Sequence, residues 1–356
     1  MNIKRKLATI RTIKTVEDIP NADSIVKLTF ENMGWVCVTN KDTNPKVGDK
    51  RVYFEVDSVL PRKFEHAGME MPLTIFNFMA PSNYVVKTMK FRGQVSQGLS
   101  MPLDEIEDAY KIILGGDLLN DGADLTDVLG IVKYEFDDEN MGPDTKGPFP
   151  GFIERTDEER AENIPNLEQI LAEHEFDATV KLDGESSTFY LYDGIFGVCC
   201  HGVELKDSPE NKYWNMARKY NIESRMRSLS PDGIHNFAIQ GEVAGPGIRG
   251  NRLGLKQVEM FIFTIQNIDK AIRLNNTQIA KAIDTMNDLV EGENLRMVPT
   301  VNIIKPLKTL QDIIDLSEGN NLITDARREG VVLRAKDDPS ISFKYVNPKY
   351  LLRHGL

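Results

Sequence analysis

Six short apolar segments fill the first hundred residues: KLATIRTIKTV, SIVKLTF, GWVCVT, KRVYFEVDSVL, NYVVKTMKF and GLSMPL. Clusters such as Ile19-Pro20-Asn21, Asn44-Pro45 and Val47-Gly48-Asp49 punctuate them. Strands this short cannot bury an apolar face alone, so they must close into a small sandwich or barrel. At 356 residues the chain is too long for one simple core, and two domains are expected.

Charge divides the chain differently. Residues 1–103 carry 15 Lys+Arg against 10 Asp+Glu, residues 104–178 carry 5 against 22, and residues 179–356 carry 23 against 22. The net charge of −11 thus comes from one central segment, and the flanks remain able to bind phosphate. In the first unit, ENMGWVCVTNKDTNPKVGDKRVYFEVDSVLP resembles the OB-fold barrels of tRNA-binding modules and of one class of RNA ligase. The run KTMKFRGQVSQGLSMPL is similar to the same domain. Its Lys87, Lys90 and Arg92 are expected nearly on one strand face, as a strip tracking RNA phosphates or as an ordinary solvated face.

The division expected from these patterns is an OB-fold domain over 1–130, an acidic linker over 131–160, and a second domain over 161–356. A short helix is expected within 104–130, and the Pro/Gly-rich stretch YEFDDENMGPDTKGPFPGFIERTDEERAE reads as a solvated connector. Residues 166–173 suit a helix. ATVKLDGESSTFYLYDGIFGVCCHGVEL alternates like an antiparallel meander, with Asp193-Gly194 as its hairpin turn. Ser208-Pro209 predicts a helix start running to Tyr220, and Ile279, Ile283, Met286 and Leu289 mark an amphipathic helix stopping at Gly292.

Three cysteines, two of them adjacent, and five scattered histidines supply neither a disulfide framework nor a zinc cluster. The basic N-terminus lacks the apolar centre of a signal peptide, and no run of about eighteen apolar residues exists. An intracellular, cytoplasmic chain is expected, neither secreted nor membrane-bound.

The chemistry enters with Lys181-Leu182-Asp183-Gly184, set between two strands: an amine nucleophile, a nearby carboxylate and a glycine for a tight turn. Alone, that tetrapeptide is close to chance. It is followed in order by FAIQGEVAGPGIRGNRL (237–253), FIFTIQ (261–266), REGVVLR (328–334) and SFKYVNPKYLL (342–352). The key charged residues Lys181, Glu242, Glu329 and Lys344 are 61, 87 and 15 residues apart. Gly245-Pro246-Gly247-Ile248-Arg249-Gly250 also fits the dinucleotide pattern G-x-G-x-x-G. A proline at its second position and the lack of a βαβ unit argue against that reading.

This ordered series resembles the covalent nucleotidyltransferases: RNA ligases, DNA ligases and capping enzymes. The likeness is closest to ATP-dependent RNA ligases that place an OB domain first, the fifth RNA ligase family, and it spans nearly the whole chain. It implies an α+β protein, an N-terminal OB-fold β-barrel followed by a nucleotidyltransferase (adenylylation) domain of antiparallel sheets and helices. It implies ATP and Mg²⁺ or Mn²⁺ as cofactors, RNA as partner, and a monomer.

The resemblance makes Lys181 the nucleophile that carries AMP. An ordinary lysine is almost wholly protonated at neutral pH, so positive charge, a metal or desolvation must deprotonate it. The resemblance further assigns Asp183, Glu242 and Glu329 to metal-bound waters or the ribose, Gly184 to the nucleotide site, and Lys344 to the α-phosphate. Phe261 or Phe263 supplies an aromatic wall for adenine, and Lys349 is a candidate second cation. Where members carry Ser-Arg-Asn, this chain has Cys200-His201-Gly202, so that His201 meets phosphate only when protonated.

The expected activity is sealing of 3′-OH and 5′-phosphate RNA ends, at nicks, through lysyl-AMP and an RNA-adenylate. DNA ligases and capping guanylyltransferases share the core motifs but normally continue into a C-terminal OB domain, whereas Leu356 lies twelve residues beyond Lys344. The rival of another class is a non-enzymatic OB-fold RNA-binding protein with a degenerate second domain, for which the His201 substitution is the best argument.

Overall fold

The computed structural model describes residues 5–64, 69–106, 120–134, 143–229 and 235–356. Its first unit is built on five strands: β1 (Ala8–Asp18), β2 (Ile25–Phe30), β3 (Val36–Asn40), β4 (Lys50–Phe54) and β5 (Leu99–Pro102), in the order β5-β4-β1-β2-β3. A register shift between Ile13 and Thr15 bends β1. Its first half then pairs with β4 and its second half with β2, the usual use of a bulge in closing a barrel. The two edge strands meet where Gln97 N–H donates to the Val36 carbonyl at 2.7 Å and Val38 N–H to Ser96 Oγ at 2.9 Å. The result is a nearly closed barrel, one of the two forms the strand pattern allowed and the OB fold that the resemblance implied.

Strand β2 alternates as expected and buries Val26, Leu28 and Phe30. Strand β4 instead is buried along nearly its whole length. Tyr53 joins the Trp35 cluster while Val52 and Phe54 join a second one with Leu60, Phe64 and Leu125. A short strand covered on both faces reads as a continuous apolar run.

Ten strands build most of the second unit: β6 (Thr145–Pro148), β7 (Glu159–Arg160), β8 (Phe176–Lys181), β9 (Glu185–Tyr192), β10 (Ile195–Cys199), β11 (Val203–Leu205), β12 (Phe237–Ala244), β13 (Glu259–Asn267), β14 (Gly330–Ala335) and β15 (Ser342–Val346). A seven-stranded sheet runs β6-β11-β10-β9-β12-β13 and ends on Ile272–Arg273. A five-stranded sheet runs β7-β15-β14-β8 and ends on Thr300–Val301. Helices α1 (Lys212–Lys219), α2 (Ile222–Leu229) and α3 (Asn276–Leu289) share a core with one face of the larger sheet. The C-terminal helix α4 (Pro348–His354) follows β15 directly.

Several expectations hold in detail. Asp193 and Gly194 both take positive φ, 47° and 73°, as a tight hairpin turn between β9 and β10 requires. Helix α3 opens with a capping box of Asn275 and Gln278 and buries Ile279, Ile283 and Met286, although Leu289 is exposed. Residues Leu167–Glu173 are helical.

Others differ. Helix α1 starts three residues later than Ser208-Pro209 suggested, because Asn211 Oδ1 accepts from both Tyr213 and Trp214 N–H and is the stronger cap. Within 104–130, Leu103–Ile106 forms a short 3₁₀ turn, and the expected helix otherwise falls partly on 107–119, outside the described residues. The stretch 131–160, expected as a solvated acidic linker, supplies structure in its described parts. Val132–Lys133 pairs with Ser58–Val59, β6 is an edge strand beside β11, and β7 runs parallel to β15. Its carboxylates have cationic partners: Asp157 binds Lys344 and Lys133, and Glu158 lies beside Arg273 and the buried Arg334. The Glu154 carbonyl accepts from Gln240 and Gln266 of the seven-stranded sheet.

Candidate active site

Lys181 ends β8 and pairs across the sheet with Gly330, which in turn pairs with Val346. Two residues back, Thr179 pairs with Val332, and Val332 with Lys344. Residues in cross-strand register share a face, as do residues two apart along one strand. Lys181 and Lys344 therefore stand on one face of the five-stranded sheet, diagonally across the intervening β14. Gly330 is needed between them, because a Cβ there would lie 1.9 Å from the Tyr345 carbonyl oxygen.

The Lys181 ammonium donates to Glu329 Oε2 at 2.8 Å. Burial acts to lower its pKa, but Glu329, Glu242 and Asp183 outweigh this and hold it above the ordinary lysine value. The carboxylates feel the converse. Burial raises the pKa of Glu242 most, Lys181 pulls it back, and Glu329 and Asp183 push it up again, to about 8. Burial likewise raises Glu329, against the pull of Lys181. Three carboxylates thus crowd one lysine, and the cost of ionising them together keeps a proton on Glu242 up to about pH 8, a cost that a bound cation would relieve.

Glu242 sits on β12, paired with Ser186 on one side and Phe261 on the other. The loop carrying Asp183 and Gly184 crosses close to this strand. A Cβ at Gly184 would stand 2.4 Å from the Val243 carbonyl oxygen and 2.8 Å from Glu242 Cγ. Gly184 is absent from the positive-φ residues, so the glycine is there for close approach and not for the tight turn the sequence suggested. Asp183 is fixed in place: its Oδ2 accepts from Arg252 Nη1 and from the Tyr350 hydroxyl, each at 2.7 Å. It thereby ties the lysine loop to α4 and to the Gly-rich segment after β12.

Lys344 donates to Asp157 Oδ1 at 2.7 Å. Burial lowers its pKa, Asp157 opposes this, and the positive charges of Lys181 and Arg160 add to the lowering. Arg160 pairs with Lys344 in parallel register on β7. Its Nη2 reaches Asp57 of the barrel at 3.4 Å and its guanidinium lies over the Trp35 ring, yet its buried Nε and Nη1 have no hydrogen-bond partner. Two unsatisfied buried donors beside Lys344 mark a place where an anion would gain hydrogen bonds.

An RNA ligase family model matches residues 174–346, and an OB-fold domain model matches residues 7–103. Solved structures of the Naegleria gruberi RNA ligase are similar over the whole chain. A variant of it with ATP and Mn is 31% identical, with a TM-score of 0.85, covering 99% of this chain and 100% of that one. A variant with AMP and Mn and the enzyme with PPi are each 31% identical, with TM-scores of 0.84 and 99% of both chains covered. The chain belongs to the RNA ligase family. No curated protein sequence matches it.

In this RNA ligase the structure brings together Lys181, Asp183, Gly184, Glu242, Glu329 and Lys344. Among the described residues no group of three or more His, Cys, Asp or Glu side chains is arranged to hold a metal directly. Phe261 is a buried core ring with the Arg296 guanidinium 4.9 Å above it, whereas Phe263 sits at a register shift and is half-buried. His201 is half-buried and follows β10, whose ladder with β9 ends at Thr188↔Cys199. Lys349 is exposed and gives its ammonium to Glu318, away from the lysine pair. Lys87, Lys90 and Arg92 are all exposed, but the strand there spans only Met89–Phe91 and Arg92 takes φ 47° in the turn after it, so they do not form one strand face.

Sequence reading did not find Arg160, Asp157, Arg252 or Tyr350. Arg160 and Asp157 lie in the stretch taken for a connector, where the only available signal was a cation inside an acidic run. Arg252 and Tyr350 lie within the quoted motifs, but only the fold shows that both reach Asp183.

Proposed function

We propose that this RNA ligase transfers AMP from ATP to Lys181 and then to a 5′-phosphate, and seals the activated end against a 3′-OH at a nick in RNA. The observation that carries the reading is Lys181 itself: an amine at a strand end, 2.8 Å from Glu329, facing Glu242 and diagonal to Lys344.

In the first step Lys181 Nζ forms a bond to the α-phosphorus and the bond to pyrophosphate breaks, leaving a phosphoramide. Only a neutral amine can attack. The ammonium proton must leave first, and Glu329, already hydrogen-bonded to Nζ, is placed to receive it. Its own pKa is raised by burial, which suits it to that task. Lys344 and Arg160 would face the phosphates and offset the charge of the leaving pyrophosphate.

The three carboxylates crowded around Lys181 fit Mg²⁺ or Mn²⁺, which Asp183, Glu242 and Glu329 would hold through water once Glu242 gives up its proton. When bound, a divalent cation neutralises the phosphate oxygens and favours the uncharged lysine. Glu242 and Glu329 otherwise raise the Lys181 pKa, so a cation among them removes an obstacle that the residues alone create. Half-buried Phe263 is the better candidate for an adenine wall, since Phe261 is closed in the core. His201 in the turn after β10, and Lys87, Lys90 and Arg92 on the barrel surface, are proposed as phosphate contacts of the RNA. Lys349 is the weakest of the proposed site residues, because Glu318 already neutralises it.

Presenting the enzyme with nicked duplexes of mixed RNA and DNA composition tests the substrate. Fast sealing is expected when the 3′-OH end is RNA. Equal rates on an all-DNA nick would overturn the RNA preference.

A further inference from the structure

One group of aromatic residues lies outside the chemistry described above. Register relates it to the site: Glu242 pairs with Ser186, Gln240 with Thr188 and Ala238 with Tyr190, so Tyr190 and Tyr192 continue the face of the seven-stranded sheet that carries Glu242. From Ser186 to Tyr192 is about 20 Å at the ordinary strand rise. The segment between β6 and β7 covers this face. Phe152 lies on Tyr192 with ring centroids 4.1 Å apart and planes 15° apart, and meets Tyr190 edge-on at 5.5 Å.

Phe152 is nevertheless 40% exposed. Its inner face packs on Tyr192, so the exposure falls on the rest of the ring. Phe149 packs on the same cluster as Tyr190 and Tyr192, the Arg155 guanidinium sits 5.2 Å from the Phe149 ring centroid, and Arg155 Nη2 donates to the Gly202 carbonyl at 3.5 Å. Phe149 N–H donates to the same carbonyl at 3.2 Å. Both residues are thereby fixed against the turn that holds His201.

We propose that Phe149, Phe152, Arg155 and Tyr192 form a platform on which a nucleobase of the RNA substrate stacks, a few nucleotides from the ligation point. The inference rests on the ligase reading above. Three observations carry it: an outward aromatic ring already held flat by a second ring, a guanidinium within reach of the same surface, and continuity with the face that bears Glu242. Bases stack on aromatic side chains irrespective of sequence, and a neighbouring arginine adds a cation for the base face or the phosphate. A ring needed only to cover Tyr192 would gain more by turning fully inward.

The test separates the two chemical stages. Lysyl-AMP formation is measured with α-labelled ATP, and sealing is measured on a nicked RNA that already carries a 5′-adenylate. Phe152→Ala is expected to raise KM for that RNA about tenfold, equivalent to about 1.4 kcal/mol and within the range of one stacked base, with lysyl-AMP formation unchanged. Phe152→Trp should restore sealing. An unchanged KM in Phe152→Ala would overturn the platform. If Phe152→Ala is too unstable to assay, the wild-type enzyme decides through photocrosslinking to nicked RNA bearing 5-iodouridine near the junction. Crosslinks within residues 149–155 or at Tyr192 support the platform, and crosslinks confined to other regions overturn it. A wild type that forms lysyl-AMP but seals no RNA would instead refute the ligase reading.

Discussion

Adding a single methyl group at Gly184 tests how the lysine loop is built. An alanine Cβ there would lie 2.4 Å from the Val243 carbonyl oxygen, 2.8 Å from Glu242 Cγ and 3.1 Å from the Val243 carbonyl carbon. Ordinary contact begins near 3.4 Å, so the loop and β12 must part by about 1 Å. The obstacle is strand backbone, paired with β9 on one side and β13 on the other, and cannot turn aside as a flexible side chain would. Overpacking of this kind costs about 1–3 kcal/mol. At roughly 2–4 °C per kcal/mol for a unit of this size, the melting temperature of Gly184→Ala should fall by several degrees. The catalytic loss should be larger in proportion, because the strain separates Lys181 from Glu242. A misplacement of about 1 Å typically costs on the order of 100-fold. The assay is the rate of lysyl-AMP formation from α-labelled ATP. Gly147→Ala is the matched control, since a Cβ there meets nothing within 4 Å. If Gly184→Ala labels as fast as wild type, the close approach does not position the nucleophile and the reasoning fails.

Three further predictions follow from the same geometry. Glu242 keeps a proton in the folded protein up to about pH 8, whereas the unfolded chain releases it in the usual carboxylate range. Stability should therefore fall as pH rises from about 5 to 8, and Glu242→Gln should flatten that slope in urea unfolding. An unchanged slope would remove Glu242 as its source. Tyr350→Phe deletes a 2.7 Å hydrogen bond to the part-buried Asp183 carboxylate and should cost roughly 1.5–3 kcal/mol in thermal or denaturant unfolding. A loss below about 0.5 kcal/mol would show that Arg252 alone holds Asp183. Lys349→Ala, with its ammonium at the surface on Glu318, should change lysyl-AMP formation less than about twofold, whereas Lys344→Ala should nearly abolish it. Comparable losses in the two variants would put Lys349 back at the site.

The parts of this fold that sequence could reveal are those set by local chemistry. Short strands between turns pointed to a sandwich or barrel, Asp193-Gly194 gave the hairpin, and the ordered motifs named Lys181, Glu242, Glu329 and Lys344, which the fold brings near one another. What stayed hidden depends on partners far along the chain. Asp157 and Glu158 looked like solvated charges because Lys344, Arg273 and Arg334, which pair with them, are more than a hundred residues away. Gly184 read as a turn residue because turning is the commoner reason for a glycine, and the strand that crowds it arrives sixty residues later. Asn211 displaced Ser208 as the helix cap although either residue type suits that role, because in the fold its side chain accepts from two N–H groups of the first turn.

The most direct test of the account is to locate AMP on the protein. The chain is incubated with α-labelled ATP and Mg²⁺ or Mn²⁺, quenched, and mapped by proteolysis and mass spectrometry. One acid-labile AMP on Lys181, absent from Lys181→Ala, is the expected result. No covalent label, or equal labelling of Lys181→Ala, would contradict it.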